Sequence, residues 1–206
     1  MTPLSKVKES LESLNVEEPI LLGPTIDVSV ITTIRMFRNL VYLDVGAYCH
    51  EEGEGQCTFK LNNDDVTALV ITLPRLESLR LGYPCSENTC ATTVAFFLPI
   101  SVYCPNLQKL EIRFNTTNIV DDFKNISGDP RFQELLPFPR CPLTCLEVYQ
   151  TQLTLDEPGI ETVVNGMIDI FPSLERCDRI DERLWSDISD RIMELQEMGI
   201  SPERRW

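Results

Sequence analysis

The apolar positions of this chain recur in a six-residue pattern, apolar-x-x-apolar-x-apolar. It reads Leu11-Leu14-Val16, Leu40-Leu43-Val45, Leu76-Leu79-Leu81, Leu107-Leu110-Ile112 and Leu143-Leu146-Val148. A sixth copy begins at Leu174 and Cys177 and then breaks, with Arg179 at its sixth position and Ile180 one residue late. Successive copies start 29, 36, 31, 36 and 31 residues apart. One match in a leucine-rich chain means nothing, but five at near-regular spacing are a repeat. Positions four and six share one face of a short strand, because strand side chains alternate. One such strand cannot bury its apolar face alone, so neighbouring copies must stack. The stretches between strands are long enough for a returning helix and two loops.

The same stretches carry helical periodicity. Val66, Leu69, Val70 and Leu73 predict a helix over 64–73 with Asn63 as N-cap. Asp156 is placed to cap a helix with Pro158 near its first turn and Ile160, Val163, Val164, Met167, Ile168 and Phe171 inward. Val94, Phe97 and Leu98 mark a helix over 89–98 that Pro99 should end or kink. Residues 26–37 also read as helix, although their β-branched side chains suit a strand. Between 118 and 136 only residues 132–136 look helical. Pro74, Pro105 and Pro172 each stand two residues before a strand's first leucine, and Pro142 stands one before, where proline stops the helix. Trp185, Ile188, Ile192 and Leu195 predict a closing helix over about 185–198, with Gly199 as its C′ residue.

These elements predict an α/β fold. It is one domain over residues 1–206: a curved solenoid of about six strand–helix units with a parallel inner sheet and a C-terminal capping helix. Composition agrees, since 43% of residues are hydrophobic and 24% charged. Eighteen basic against 32 acidic residues give a net charge of −14, and the pI is about 4.5. Such acidity leaves no basic patch for phosphates, so nucleic acid and anionic membrane surfaces are not expected partners. No apolar run approaches the roughly 18 residues of a membrane span. Residues 1–10 contain no apolar core of a secretory leader, so an intracellular setting is expected, cytoplasmic or nuclear.

The eight cysteines are Cys49, Cys57, Cys85, Cys90, Cys104, Cys141, Cys145 and Cys177. A chain that builds its own core indoors predicts reduced thiols rather than disulfides. Their spacings, with His50 as the single histidine, do not suit a structural zinc. Cys104, Cys141 and Cys177 read as core residues, whereas Cys145 falls on the wet face and is the one thiol flagged for reactivity. No Gly-rich phosphate loop, GxSxG or HExxH occurs, so no catalytic, cofactor-binding or metal-binding residue is predicted. The acidic stretch His50-Glu51-Glu52-Gly53-Glu54-Gly55 reads as a solvated loop.

Strand–helix units headed by LxxLxL resemble leucine-rich repeats. Three segments narrow the resemblance: Cys104-Pro105-Asn106-Leu107-Gln108-Lys109-Leu110, Phe171-Pro172-Ser173-Leu174-Glu175-Arg176 and Cys141-Pro142-Leu143-Thr144-Cys145-Leu146-Glu147-Val148. They are similar to the repeat region of fungal F-box proteins, where "CPNLxxLxI" and "FPxLxR" units precede a tryptophan-containing acidic helix. The similarity covers about residues 11–200. Asn115 matches the asparagine that such repeats often carry at position nine; Tyr48, Pro84 and Thr151 replace it elsewhere. The resemblance implies a protein-interaction module, like the substrate-recognition region of an F-box subunit of a cullin-RING ubiquitin ligase. Its expected partner is a protein substrate of unknown identity. Residues 1–10 are too few to hold an F-box, so the Skp adaptor is expected as a partner only if an F-box lies upstream. The alternative is a stand-alone leucine-rich-repeat scaffold or regulatory protein with no ligase link.

A solenoid binds with its concave sheet, supplied here by positions three, five and seven of each strand. Those are Ser13, Asn15, Glu17; Tyr42, Asp44, Gly46; Ser78, Arg80, Gly82; Lys109, Glu111, Arg113; and Cys145, Glu147, Tyr149. Tyr42 and Tyr149 are the aromatic anchors expected for a partner, alongside Asp44, Arg80, Lys109, Glu111, Arg113 and Glu147. The plainer reading is a solvated sheet face whose charges pair across strands, as Arg80 and Glu111 are placed to do.

Overall fold

The computed structural model describes residues 9–16, 25–46, 58–82, 90–135, 140–148, 154–178 and 183–198. Among them, four segments make the same turn into a strand. Leu40, Leu76, Leu107 and Leu174 each donate a backbone N–H to the carbonyl three residues back, on Phe37, Leu73, Cys104 and Phe171, at 3.0–3.3 Å. Pro74, Pro105 and Pro172 occupy the second position of three of these turns, where a fixed φ near −65° is already the one required. Each turn delivers its leucine to the core, and a strand starts two residues later.

The strands are β1 (Ser13–Asn15), β3 (Tyr42–Val45), β5 (Ser78–Leu81), β6 (Lys109–Ile112), β7 (Cys145–Val148) and β8 (Arg176–Asp178). They form one open sheet in the order β1-β3-β5-β6-β7-β8, and every neighbouring pair is parallel. The register aligns Leu14, Leu43, Leu79, Leu110, Leu146 and Cys177 in one row. From Leu43 to Cys177 that row is buried. At each junction one carbonyl, on Glu12, Val41, Glu77, Gln108 or Thr144, accepts from two successive N–H groups of the next strand. In the sixth copy Cys177 takes the leucine's place, because a buried thiol packs as a small hydrophobe; Arg179, where the pattern breaks, lies outside the described residues.

Among the described residues the helices between the strands include α1 (Val28–Ile34), α2 (Asn63–Val70), α3 (Phe97–Tyr103), α4 (Ile119–Gly128) and α6 (Glu157–Ile170). A short α5 (Pro130–Leu135) follows α4, and α7 (Arg183–Glu197) follows β8. Their apolar faces join the strand leucines in one continuous core running from Ile26 to Leu195. Side chains cap the starts: Asp27, Asn62 and Asp156 each accept from a first-turn N–H of α1, α2 and α6. Asn62, not Asn63, is the N-cap of α2, in a capping box with Asp65. Asn63 instead ties α2 to the next unit, accepting from Thr93 N at 2.8 Å and donating to Thr93 Oγ1 at 3.1 Å.

Two other expectations are corrected. Pro99 does not end a helix. A 3-10 turn (Val94–Phe96) leads into α3, and Pro99 sits in the first turn of α3, where its missing N–H costs no hydrogen bond. Residues 119–128, expected to be irregular, are helical. Phe123 of α4 lies so close to Gly166 of α6 that a Cβ there would overlap its ring. A second, two-stranded parallel ladder was also unforeseen: β2 (Thr25–Ile26) with β4 (Thr58–Phe59), buried through Ile26 and Phe59. No helix of the described residues is long and apolar enough to cross a membrane.

Candidate functional site

The strand face opposite the leucines carries the polar side chains. Parallel pairing sets them in two rows: Ser13, Tyr42, Ser78, Lys109, Cys145 and Arg176, then Asn15, Asp44, Arg80, Glu111, Glu147 and Asp178. Within this lattice six of the eight expected site residues form one connected network. The Tyr42 hydroxyl donates to Asp44 Oδ2 at 3.4 Å. Arg80 Nη1 stands 3.3 Å from the same oxygen, and Arg80 Nε stands 3.2 Å from Glu111 Oε2. Lys109 Nζ then bridges Glu111 Oε1 at 2.6 Å and Glu147 Oε1 at 3.0 Å.

The lysine resolves a conflict. Glu111 and Glu147 are direct cross-strand partners, an unfavourable pairing of like charges. Lys109, one pleat back, reaches both. Its hydrogen bond to Glu111, with the two carboxylates' field, holds its ammonium well above the ordinary lysine range despite partial burial. Burial, with Asp44 alongside, likewise raises the Tyr42 phenol. Within these contacts three carboxylates share two cations. The face is therefore ordered by its own pairing and keeps a slight acidic surplus. The cross-strand contact expected between Arg80 and Glu111 is present.

Of the other two expected residues, only Arg113 lies among the described residues. Arg113 is 1% exposed and so offers a partner almost no surface. It lies one residue past β6. It packs beside Gly82, whose φ of +109° requires glycine and whose added Cβ would stand 3.0 Å from Arg113 Cβ. Tyr149 lies outside the described residues, as do Glu17, the acidic stretch 50–55 and Gly199. Arg176 was not singled out, although the broken sixth copy placed it at position three. Its Nε donates to Cys145 Sγ at 3.3 Å.

Cys145 is corrected too: it occupies the polar-face position but is only 5% exposed. Cys90, Cys104, Cys141, Cys145 and Cys177 are all free thiols. Burial pushes the Cys104 and Cys141 thiols up to about 12, which keeps them protonated and unreactive at neutral pH. Among the described residues no group of three or more His, Cys, Asp or Glu side chains is placed to hold a metal ion. No protein-family model matches the chain, and no curated protein matches it either.

Proposed function

We propose that this chain is a protein-recognition module of the leucine-rich-repeat kind, and that the Tyr42–Glu147 face is where it holds its partner. Its role would resemble that of the substrate-recognition region of an F-box subunit of a cullin-RING ubiquitin ligase. The supporting observation is the network on that face. Charged side chains from four adjacent strands, β3, β5, β6 and β7, are held at fixed spacing on a rigid parallel sheet. A surface organised in this way reads a partner's charge pattern at low ordering cost.

The test is quantitative affinity capture from native cells with the wild-type chain and with Tyr42→Ala/Glu147→Lys. A specific protein retained by the wild type and lost by the variant, together with the Skp adaptor, supports the ligase reading. The same protein without the adaptor supports the stand-alone scaffold. Equal capture by both chains removes the sheet face from the proposal.

A further inference from the structure

The stretch from Val94 to Tyr103, the 3-10 turn and α3, contains no charged residue. Phe96, Phe97 and Ile100 point inward and are buried. The outer side is apolar as well: Ala95, Leu98, Pro99, Val102 and Tyr103. A helix apolar on every side belongs inside a protein. Here the outer side is instead the floor of a groove of about 480 Å³, walled by α2 and by the end of α4 through Ile126. Tyr103 at its edge is 43% exposed. The volume lies within the roughly 300–1,000 Å³ range of ligand clefts.

The charged residues that line the groove are both acidic. Asp64 stands on the α2 wall and Asp129 at the α4 end, and no lining residue is basic. Asp122 lies one turn before Ile126 on the same stripe of α4. Burial raises its carboxyl and the neighbouring Asp121 raises it further. The nearby Lys124 turns to Asp121, at 3.9 Å.

We propose that this groove docks a basic amphipathic helix from a partner protein. The apolar stripe of that helix would lie over Ala95, Leu98 and Val102, and its Lys or Arg side chains would meet Asp64 and Asp129. This is the helix-in-groove mode, in which apolar anchors supply affinity and flanking charge supplies selection. A second copy of the chain is a poor occupant, since each copy carries −14 and would bring further acid to an acidic rim. The surface is separate from the sheet face, so the two proposals stand or fall independently.

The probe is a display library of short amphipathic peptides, randomised at every polar position and selected on the full chain. The expected winners carry Lys or Arg beside the apolar stripe. They should bind Ala95→Lys and Asp64→Lys at least about tenfold more weakly than wild type and bind Tyr42→Ala unchanged. Their affinity should also fall as salt rises. Ala95 is exposed, so its replacement should leave the thermal transition in place; Tyr103→Lys is the second blocking variant if it does not. Acidic winners, winners indifferent to both blocking variants, or no enrichment overturn the proposal. So does a concentration-dependent dimer that Ala95→Lys abolishes, which would make the occupant a second copy.

Discussion

The two ends of the sheet are built differently. At the C-terminal end, β8 is covered by α7. Trp185, Ile188 and Ile192 are buried there, and Ser189 Oγ accepts the Cys177 N–H at 3.2 Å. Gln196 Nε2 donates to the carbonyls of Pro172 and Leu174, at 3.1 and 3.2 Å. An edge strand with unpaired backbone groups invites unwanted pairing, and here helix side chains take the Cys177 N–H of β8 and two carbonyls just before the strand. At the N-terminal end β1 has three residues, and Leu11, Leu14 and Val16 are only partly buried against the core. A repeat layer is thus held by what covers it as much as by its own leucines.

Mutations at the two ends should separate them. Trp185→Ala is expected to cost about 3–5 kcal/mol and Leu110→Ala, in the sheet centre, about 2–5 kcal/mol. Leu14→Ala, at the partly buried end, should cost less than either. Urea unfolding of the three variants gives the order, and a Leu14 loss equal to that of Leu110 would show β1 held as firmly as the centre. Ser189→Ala leaves the buried Cys177 N–H without its acceptor, at about 1–3 kcal/mol. Hydrogen exchange should then quicken at residues 176–178 and not at 42–45. Arg191 Nε lies 2.7 Å from Glu161 Oε1 and links α7 to α6, but both side chains are 38% exposed. Arg191→Ala should therefore leave the urea midpoint nearly unchanged, and a clear drop would make this ion pair part of the cap's grip.

The smallest effect belongs to the sheet centre in alkali. Tyr42 and Lys109 both bind their protons more tightly when folded. The stability this gives is complete below their ordinary values near pH 10 and is lost as pH rises through the folded values. Tyr42→Phe removes the phenol's share. Its melting temperature should fall less than wild type above about pH 10, and parallel curves would show that the phenol titrates alike in both states.

What the sequence revealed divides along the range of its local rules. Alternation placed Leu43, Leu79, Leu110 and Leu146 in one buried row because each sits inside a strand. The same rule does not report burial: Arg113, one residue past β6, is 1% exposed. Helix α4 follows Asn118, a favoured N-cap residue that makes no side-chain cap hydrogen bond here. What positions α4 is the fit of Phe123 against Gly166, a contact between distant residues. Ladder β2–β4 pairs two residues with two, too few to set a period. Of the sheet face, the strand positions were legible; the bridging of two glutamates by Lys109 needed geometry.

The turn that opens four of the six strands separates length from alignment. Successive units differ by up to seven residues, from 29 to 36, yet the leucines stay in step, because the count restarts at every Pro74-, Pro105- or Pro172-type turn. In the 36-residue unit that starts at Leu40 the surplus lies between β3 and α2, and in the one that starts at Leu107 it lies after α4 and includes α5; neither shifts the lattice. Each unit is in this sense a cassette with a fixed socket and an adjustable lead. Segments grafted after Val45 or Leu81 would vary the rim of the molecule while the polar rows kept their spacing.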